Sequence, residues 1–288
     1  MEFILQGDQA RKPMSTAIPL NSKYLGQLEK AALEAAGAGG AVLNRYFLEK
    51  VPNFQRLKGR NDLVTAADLE SCRGIKRVLK RQFPDHSFLF EEAEYTELRE
   101  SDFLWIVDPL DGTTFHNRGL PFYSLVISLQ FRGTTILAVT LAPHSGNCFV
   151  SRHGGGSRQI NRRLRISRSL RVSSVSLLDE AVIGYSYGKS ERHARQMGVV
   201  MRRLLPSCRF LLCVGGADIG FLAGGKFDAF IDNSSTAWDF AGLVLMIQEA
   251  GGQATDWKGD PWQLDSTSIL LTNGKLHNDL LEILRNKH

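Results

Sequence analysis

The chain has 288 residues, 43% of them hydrophobic and 23% charged, with a formal net charge of +5. That balance suits a folded globular protein and excludes a disordered or fibrous chain. No apolar run approaches the roughly 20 residues a bilayer-spanning helix needs. The segment Met1 to Leu20 also lacks a basic stretch followed by an apolar core and a small-residue cleavage site, so no secretory leader or membrane partner is expected. Cys72, Cys148, Cys208 and Cys213 show no CxxC spacing. Neither structural zinc nor a disulfide framework is expected, and the expected compartment is cytoplasmic.

Residues 1–22 read as a polar tail. From Tyr24 to Glu49 apolar residues recur at helical spacing (Leu25, Leu28, Ala32, Ala35), which predicts a long helix. Gly37, Gly39 and Gly40 weaken its middle and suit close helix packing. Val51 to Gly59 reads as a connector with a short strand near Phe54 and Leu57. Asp62-Leu-Val-Thr65 then leads into a helix reaching about Phe83, with Thr65 or Asp68 as its cap. Phe88 to Phe90 reads as a short buried strand ending on Glu91-Glu92. Trp105, Ile106 and Val107 read as the end of another buried strand. Asp108-Pro-Leu-Asp-Gly-Thr-Thr114 follows, with Thr113 and Thr114 opening a helix.

Strands are expected over Leu120–Phe131, Thr134–Ala142 and Cys148–Ser151, with a further hairpin over Gln159–Ile166 centred near Asn161. The cations Arg152, Arg158, Arg162, Arg163, Arg165, Arg168 and Arg171 read as a solvated hairpin edge, where basic side chains discourage edge pairing. No aromatic residues interleave them, as nucleic-acid stacking would require. The remaining chain alternates. Strands are expected at Glu180–Tyr185, Arg209–Val214, Phe227–Ile231, Gln253–Trp257 and Ile269–Thr272, and helices at Glu191–Leu205, Gly216–Gly224, Thr236–Ala250 and Leu276–Leu284. Strand runs first and alternation later predict an α+β half over residues 23–160 and an α/β half over 161–288, sharing one body.

The chemistry centres on Asp108 and Asp111. Two carboxylates, the Leu110 carbonyl and a glycine-bearing turn supply what a hard divalent cation and a phosphate need together. Taken alone, ordinary turn chemistry explains the same residues. Asp62, Glu92 and Asp239 also fall at strand ends or helix starts, and together the acids suggest a Mg²⁺ site assembled from distant segments.

The stretch Trp105-Ile-Val-Asp-Pro-Leu-Asp-Gly-Thr-Thr114 resembles the signature of the inositol monophosphatase family. These are Mg²⁺-dependent, lithium-sensitive phosphomonoesterases related to fructose-1,6-bisphosphatase. Trp238-Asp-Phe-Ala-Gly242, Glu249-Ala-Gly-Gly252, Asp62-Leu-Val-Thr65 with Asp68, Glu91-Glu92 and Ser268-Ile-Leu-Leu-Thr-Asn-Gly274 extend the resemblance from about Tyr24 to the C-terminus. It implies a layered αβαβα sandwich, usually a homodimer, hydrolysing a small phosphorylated polyol or sugar with two or three Mg²⁺ ions. It implies Glu92, Asp108, Leu110, Asp111 and Asp239 as metal ligands, and Gly112 and Thr113 as phosphate donors. Asp62, Glu92 and Thr113 would orient the attacking water, and Asp111 and Asp232 would contact substrate. Phe90 before the acid pair, Phe115-His116 after the two threonines, and Cys213-Val214 or Gly215-Gly216 at a helix start depart from the family pattern and leave the substrate open. An adenosine 3′,5′-bisphosphate nucleotidase or histidinol phosphatase is an alternative. An RNA- or transcription-complex-binding regulator on the same fold is another.

Overall fold

The computed structural model describes residues 20–49, 55–59, 62–188 and 190–285. Nearly all of the expected polar tail, and Phe54 of the connector, therefore lie outside the described residues. Helix α1 spans Ser22–Leu48, and the Asn21 carboxamide caps it by accepting from the Tyr24 N–H at 2.8 Å. Strands β1 (Gln55–Gly59) and β2 (Asp62–Thr65) pair antiparallel and lead into α2 (Ala66–Gln82). Close approach of α1 and α2 depends on Gly39, where an added Cβ would sit 2.8 Å from the Ile75 side chain. A Cβ at Gly40 would meet Leu141 at the same distance, whereas Gly37 faces open space. Two of the three glycines thus serve packing.

A seven-stranded sheet follows in chain order: β3 (Ser87–Phe90), β4 (Phe103–Asp111), β5 (Ser124–Phe131), β6 (Thr134–Ala142), β7 (Asn147–Arg152), β8 (Gly156–Asn161) and β9 (Ile166–Ser169). Only β3 and β4 pair parallel. The short helix α3 (Thr113–Asn117) interrupts the passage from β4 to β5. The second sheet is mixed. It contains β10 (Val182–Tyr185), β11 (Phe210–Cys213), β12 (Ala229–Asp232), β13 (Gln253–Thr255) and β14 (Ile269–Thr272), ordered β11-β10-β12-β14-β13. Its helices are α4 (Glu191–Leu204), α5 (Gly216–Ala223), α6 (Ala237–Glu249) and α7 (His277–Arg285).

These elements stack as an αβαβα sandwich. Helices α1 and α2 cover one face of the large sheet, α5 and α6 lie between the sheets, and α4 with α7 close the far side. Side-chain alternation along a strand explains the layering. Trp105 and Val107 of β4 face α1 and α2, while Ile106 faces α5 and α6. In β12 Phe230 faces inward, and Ala229 and Ile231 face α4 and α7. The inner strands β4, β5 and β12 are buried on both faces and read as largely apolar runs, whereas the edge strands β9 and β11 stay part-exposed. Each fully buried Leu, Ile or Phe contributes about 1.5–3 kcal/mol.

Three expectations change. The strand expected to end at Val107 continues to Asp111, because the chain keeps its pairing with β5 through a bulge. The strand expected from Leu120 begins at Ser124, since Leu120 and Phe122 lie exposed before pairing starts. The hairpin expected near Asn161 turns instead over residues 162–165, with Arg165 at a φ of 54°.

The basic segment also differs from a simple solvated edge. Glu29, buried on α1, accepts from Arg152 Nε at 2.6 Å and from Arg158 Nη2 at 2.5 Å. Burial pushes the Glu29 carboxyl up, but both arginines outweigh it and hold the group below its usual value. This clamp ties α1 to β7 and β8. Glu29→Ala is expected to destabilise the fold by about 1–2 kcal/mol, less than a fully buried pair because both arginines are part-exposed. Urea unfolding of the variant beside Arg158→Ala checks this, and the two losses should be non-additive.

Candidate metal centre

The site begins with a fault in a strand. Asp108 pairs with Val126 and Asp111 with Ser124, so three steps on β4 oppose two on β5. In a regular strand, residues three apart point to opposite faces. The extra residue of a β-bulge removes that mismatch. Pro109, which has no N–H to offer a ladder, sits inside it. Asp108 Oδ1 accepts from the Leu110 N–H at 2.9 Å, and Asp111 Oδ2 accepts from Ser124 Oγ at 3.1 Å.

Asp239 arrives from the first turn of α6, where Thr236 Oγ1 accepts the Asp239 N–H at 3.4 Å. Ligand oxygens of Asp108, Asp111 and Asp239 all lie within 4.8 Å of one another. Burial pushes the Asp239 carboxyl up to about 8, with Asp111 and Glu91 adding repulsion. Burial, then Glu91, Asp239 and Asp111, raise Asp108 well above the carboxylate range. Carboxylates this close cannot all ionise unless something positive joins them. An all-oxygen donor set fits a hard divalent cation such as Mg²⁺.

Beside the cluster the chain turns at Gly112, with a φ of 83°. A Cβ there would also stand 2.7 Å from the Phe122 carbonyl oxygen, so glycine is required twice over. The first bond of α3 runs from the His116 N–H to the Gly112 carbonyl, and Gly112, Thr113 and Thr114 line the cavity ahead of it. The Thr113 hydroxyl lies 3.0 Å from the Leu110 carbonyl and 3.1 Å from Asp68 Oδ1. Asp68 Oδ2 takes the Thr65 N–H at 2.8 Å and the Thr65 hydroxyl at 2.5 Å. A buried carboxyl, pushed up to about 7 chiefly by burial, thus joins the cap of α2 to the signature turn.

A cavity of about 500 Å³ gathers Asp108, Leu110, Asp111, Gly112, Thr113, Asp232 and Asp239. Asp232 is buried at the end of β12 and held by the Ser186 hydroxyl and by the N–H and hydroxyl of Ser234. Glu92 is not brought to this wall; Glu91 is. Neighbouring residues of an extended chain point opposite ways. Glu91 continues the line of β3, its N–H bonding the Val107 carbonyl, while buried Glu92 opens a 3₁₀ turn at Ala93–Tyr95. Glu92 is also the foremost charge acting on the Cys72 thiol, beneath α2. The side chain of Asp62 lies outside the described residues. Asp68, a cap candidate that also belongs to the family resemblance, has no site role expected from sequence; its contact with Thr113 spans two segments and leaves no local signal.

The unusual flanks separate on inspection. Phe90 is buried in the core beside α1 and α2. His116 is buried too, its Nε2 3.0 Å from the Leu43 carbonyl oxygen, and burial lowers its pKa. Of these three, only Phe115 lines the cavity, edge-on to Phe122.

A layered αβαβα body with carboxylates gathered at a bulged strand has the architecture of the sugar phosphatases. The chain belongs to the inositol monophosphatase family, whose model matches residues 25–288. It is 33% identical to an inositol-1-monophosphatase from Rhizobium meliloti over 258 residues, covering 88% of this chain and 94% of that one. It is 29% identical to the Nus factor SuhB of Pasteurella multocida, covering 87% and 92% of the two chains. Among solved structures, the extragenic suppressor protein suhB of Bartonella henselae superposes with a TM-score of 0.85 at 28% identity, over 91% of this chain and all of that one.

Two outcomes follow from the charges. Above about pH 5 an unfolded chain has released its carboxyl protons, while folded Asp68, Asp108 and Asp239 retain theirs. Stability of the cation-free protein should therefore fall as pH rises through about 8. Neutral His86 and His277, both held near about 4, oppose this only below about pH 6.5. Melting temperature measured from pH 6.5 to 8.5 should fall without Mg²⁺, and Mg²⁺ should raise it most at the alkaline end. In the same assay Glu91→Gln should weaken the Mg²⁺ response more than Glu92→Gln does.

Proposed function

We propose that this protein is a Mg²⁺-dependent phosphomonoesterase that hydrolyses a small phosphorylated polyol or sugar by direct attack of water. The observation that carries the reading is the meeting of Asp108, Asp111 and Asp239 beside the Gly112–Thr113 turn in one cavity. Asp108, Asp111, Asp239, the Leu110 carbonyl and Glu91 would hold two or three ions, with Glu91 in the role expected of Glu92. When bound, the metal would supply charge neutralisation of the phosphate and an acidified water.

The remaining work falls to the chain. Gly112 and Thr113 N–H groups would hold the phosphate oxygens at the start of α3. The Thr113 hydroxyl, donating to Asp68 or Leu110, keeps its lone pairs free to accept from the attacking water. Asp62, on β2, would help to orient that water. Asp232, held by two serines, would take hydroxyl groups of the leaving alcohol, and Phe115 would bound the same space. None of the four free cysteines is among the residues lining the cavity. The reading includes a cytoplasmic homodimer inhibited by lithium, supported by the family relationship.

A second reading has one specific support, the similarity to proteins named Nus factor SuhB. Exposed Arg162 and Arg165 on the β8–β9 turn would then serve a transcription complex alongside, rather than instead of, the cavity.

A panel of phosphomonoesters, including inositol 1-phosphate and fructose 1,6-bisphosphate, should show Mg²⁺-dependent release of phosphate. Asp108→Asn and Asp239→Asn should each lower kcat by about 10³-fold or more, and Thr113→Val by about 10²-fold. Wild-type turnover in Asp108→Asn with retained Mg²⁺ dependence would sink the assignment.

A further inference from the structure

A second cavity, of about 760 Å³, opens on the far side of the catalytic wall, between α4, α7 and the turn after β13. Its cations are Arg192, Arg203, Lys258 and Arg285, and no carboxylate is among the described residues lining it. Arg192 and Arg203 lie eleven residues apart on one face of α4, about 16 Å along its axis. The half-buried Arg203 is fixed by donating to the Ile283 carbonyl at 3.0 Å, and Arg285 donates to the Lys258 carbonyl. Val199, Val200 and Trp257 give the cavity an apolar middle between charged ends. Four like charges around one hollow repel each other and favour an anion among them.

The partition between the two cavities is built from few atoms. Asp232 and Asn233 end β12 and, as successive residues, face opposite sides: Asp232 lines the catalytic cavity and Asn233 the basic one. Asn233 Nδ2 donates to the His193 carbonyl at 2.8 Å and to Gln196 Oε1 at 3.2 Å, while its Oδ1 accepts from the Gly188 N–H at 3.1 Å. His193 lines both spaces.

We propose that the basic cavity is a second binding site, taking a small polyanion of the di- or triphosphate class. Its volume lies in the range of small-ligand pockets, and its concavity suits a small molecule rather than the open groove a nucleic-acid backbone needs. An occupant would press on Asn233, the residue that follows Asp232, and on His193, which lines both cavities.

The test uses the full-length protein without divalent cation, with inorganic tripolyphosphate as probe and titration calorimetry as readout. Without a divalent cation the catalytic cavity lacks the positive charge that would hold a phosphate there, so success or failure here is independent of the phosphatase reading. One binding event is expected. Arg192→Glu combined with Lys258→Glu, both exposed, should weaken it about tenfold or more, and Arg192→Gln alone should weaken it by a smaller factor. Arg162→Glu with Arg163→Glu, on the separate hairpin turn, should leave it unchanged. Absence of binding, equal binding in the Arg192 and Lys258 variants, or equal loss in the hairpin variant would each overturn the proposal. The Arg192→Gln arm decides the matter if the double variant melts early.

Discussion

Repulsion among carboxylates is the constraint on which the rest depends. Asp108, Asp111 and Asp239 bring their oxygens within 4.8 Å, with Glu91 on the same wall. Such a group opposes folding unless protons or a cation neutralise it, and burial makes the opposition stronger. The body around it is correspondingly over-determined. A continuous apolar strand packs on both faces at Trp105, Ile106 and Val107, and α6 carries Asp239 on a helix buried over most of its length. Rigid elements bring the acids together, so the site does not wait for a ligand to assemble it.

The bulge in β4 converts this rigidity into geometry. Without the extra residue, Asp108 and Asp111 would face opposite sides of the sheet, one toward α1 and α2 and one toward α6. With it, both carboxylates reach one cavity, and the strand passes directly into the left-handed Gly112 and the short α3. The same alternation excludes Glu92, separates Phe90 from the cavity, and divides Asp232 from Asn233. One period-two rule therefore sorts cavity-lining from packed residues at three strand ends.

Glu29 shows how charge outside the site supports the same body. An acid on α1 takes two arginines from β7 and β8, which are therefore not part of a solvated edge. The arginine run is accordingly not uniform. Arg152 and Arg158 hold the first layer to the sheet, Arg168 donates to Gln159, and Arg163 donates to the His144 carbonyl. Net charge alone distinguishes none of these from the cations that ring the second cavity on α4 and α7.

The helices and strands were legible because their signals are local, such as helical spacing in α1 and apolar runs in the inner strands, while the layered arrangement was carried by the family resemblance. Asp108, Asp111 and Gly112 were legible for a similar reason, since three turn residues within one short stretch carry their chemistry with them. Glu91 was not separable from Glu92 by sequence, because both are acids after a buried strand and only the direction of β3 decides which one faces the cavity. The contact of Asp68 with Thr113 was hidden because the two lie 45 positions apart. By itself the sequence determined the elements, the acids and the signature turn. Tertiary structure alone decided which acids meet, which flanking residues touch the cavity, and where a second set of cations converges, because side-chain direction and long-range approach are set by strand pairing and layer packing rather than by neighbours in the chain.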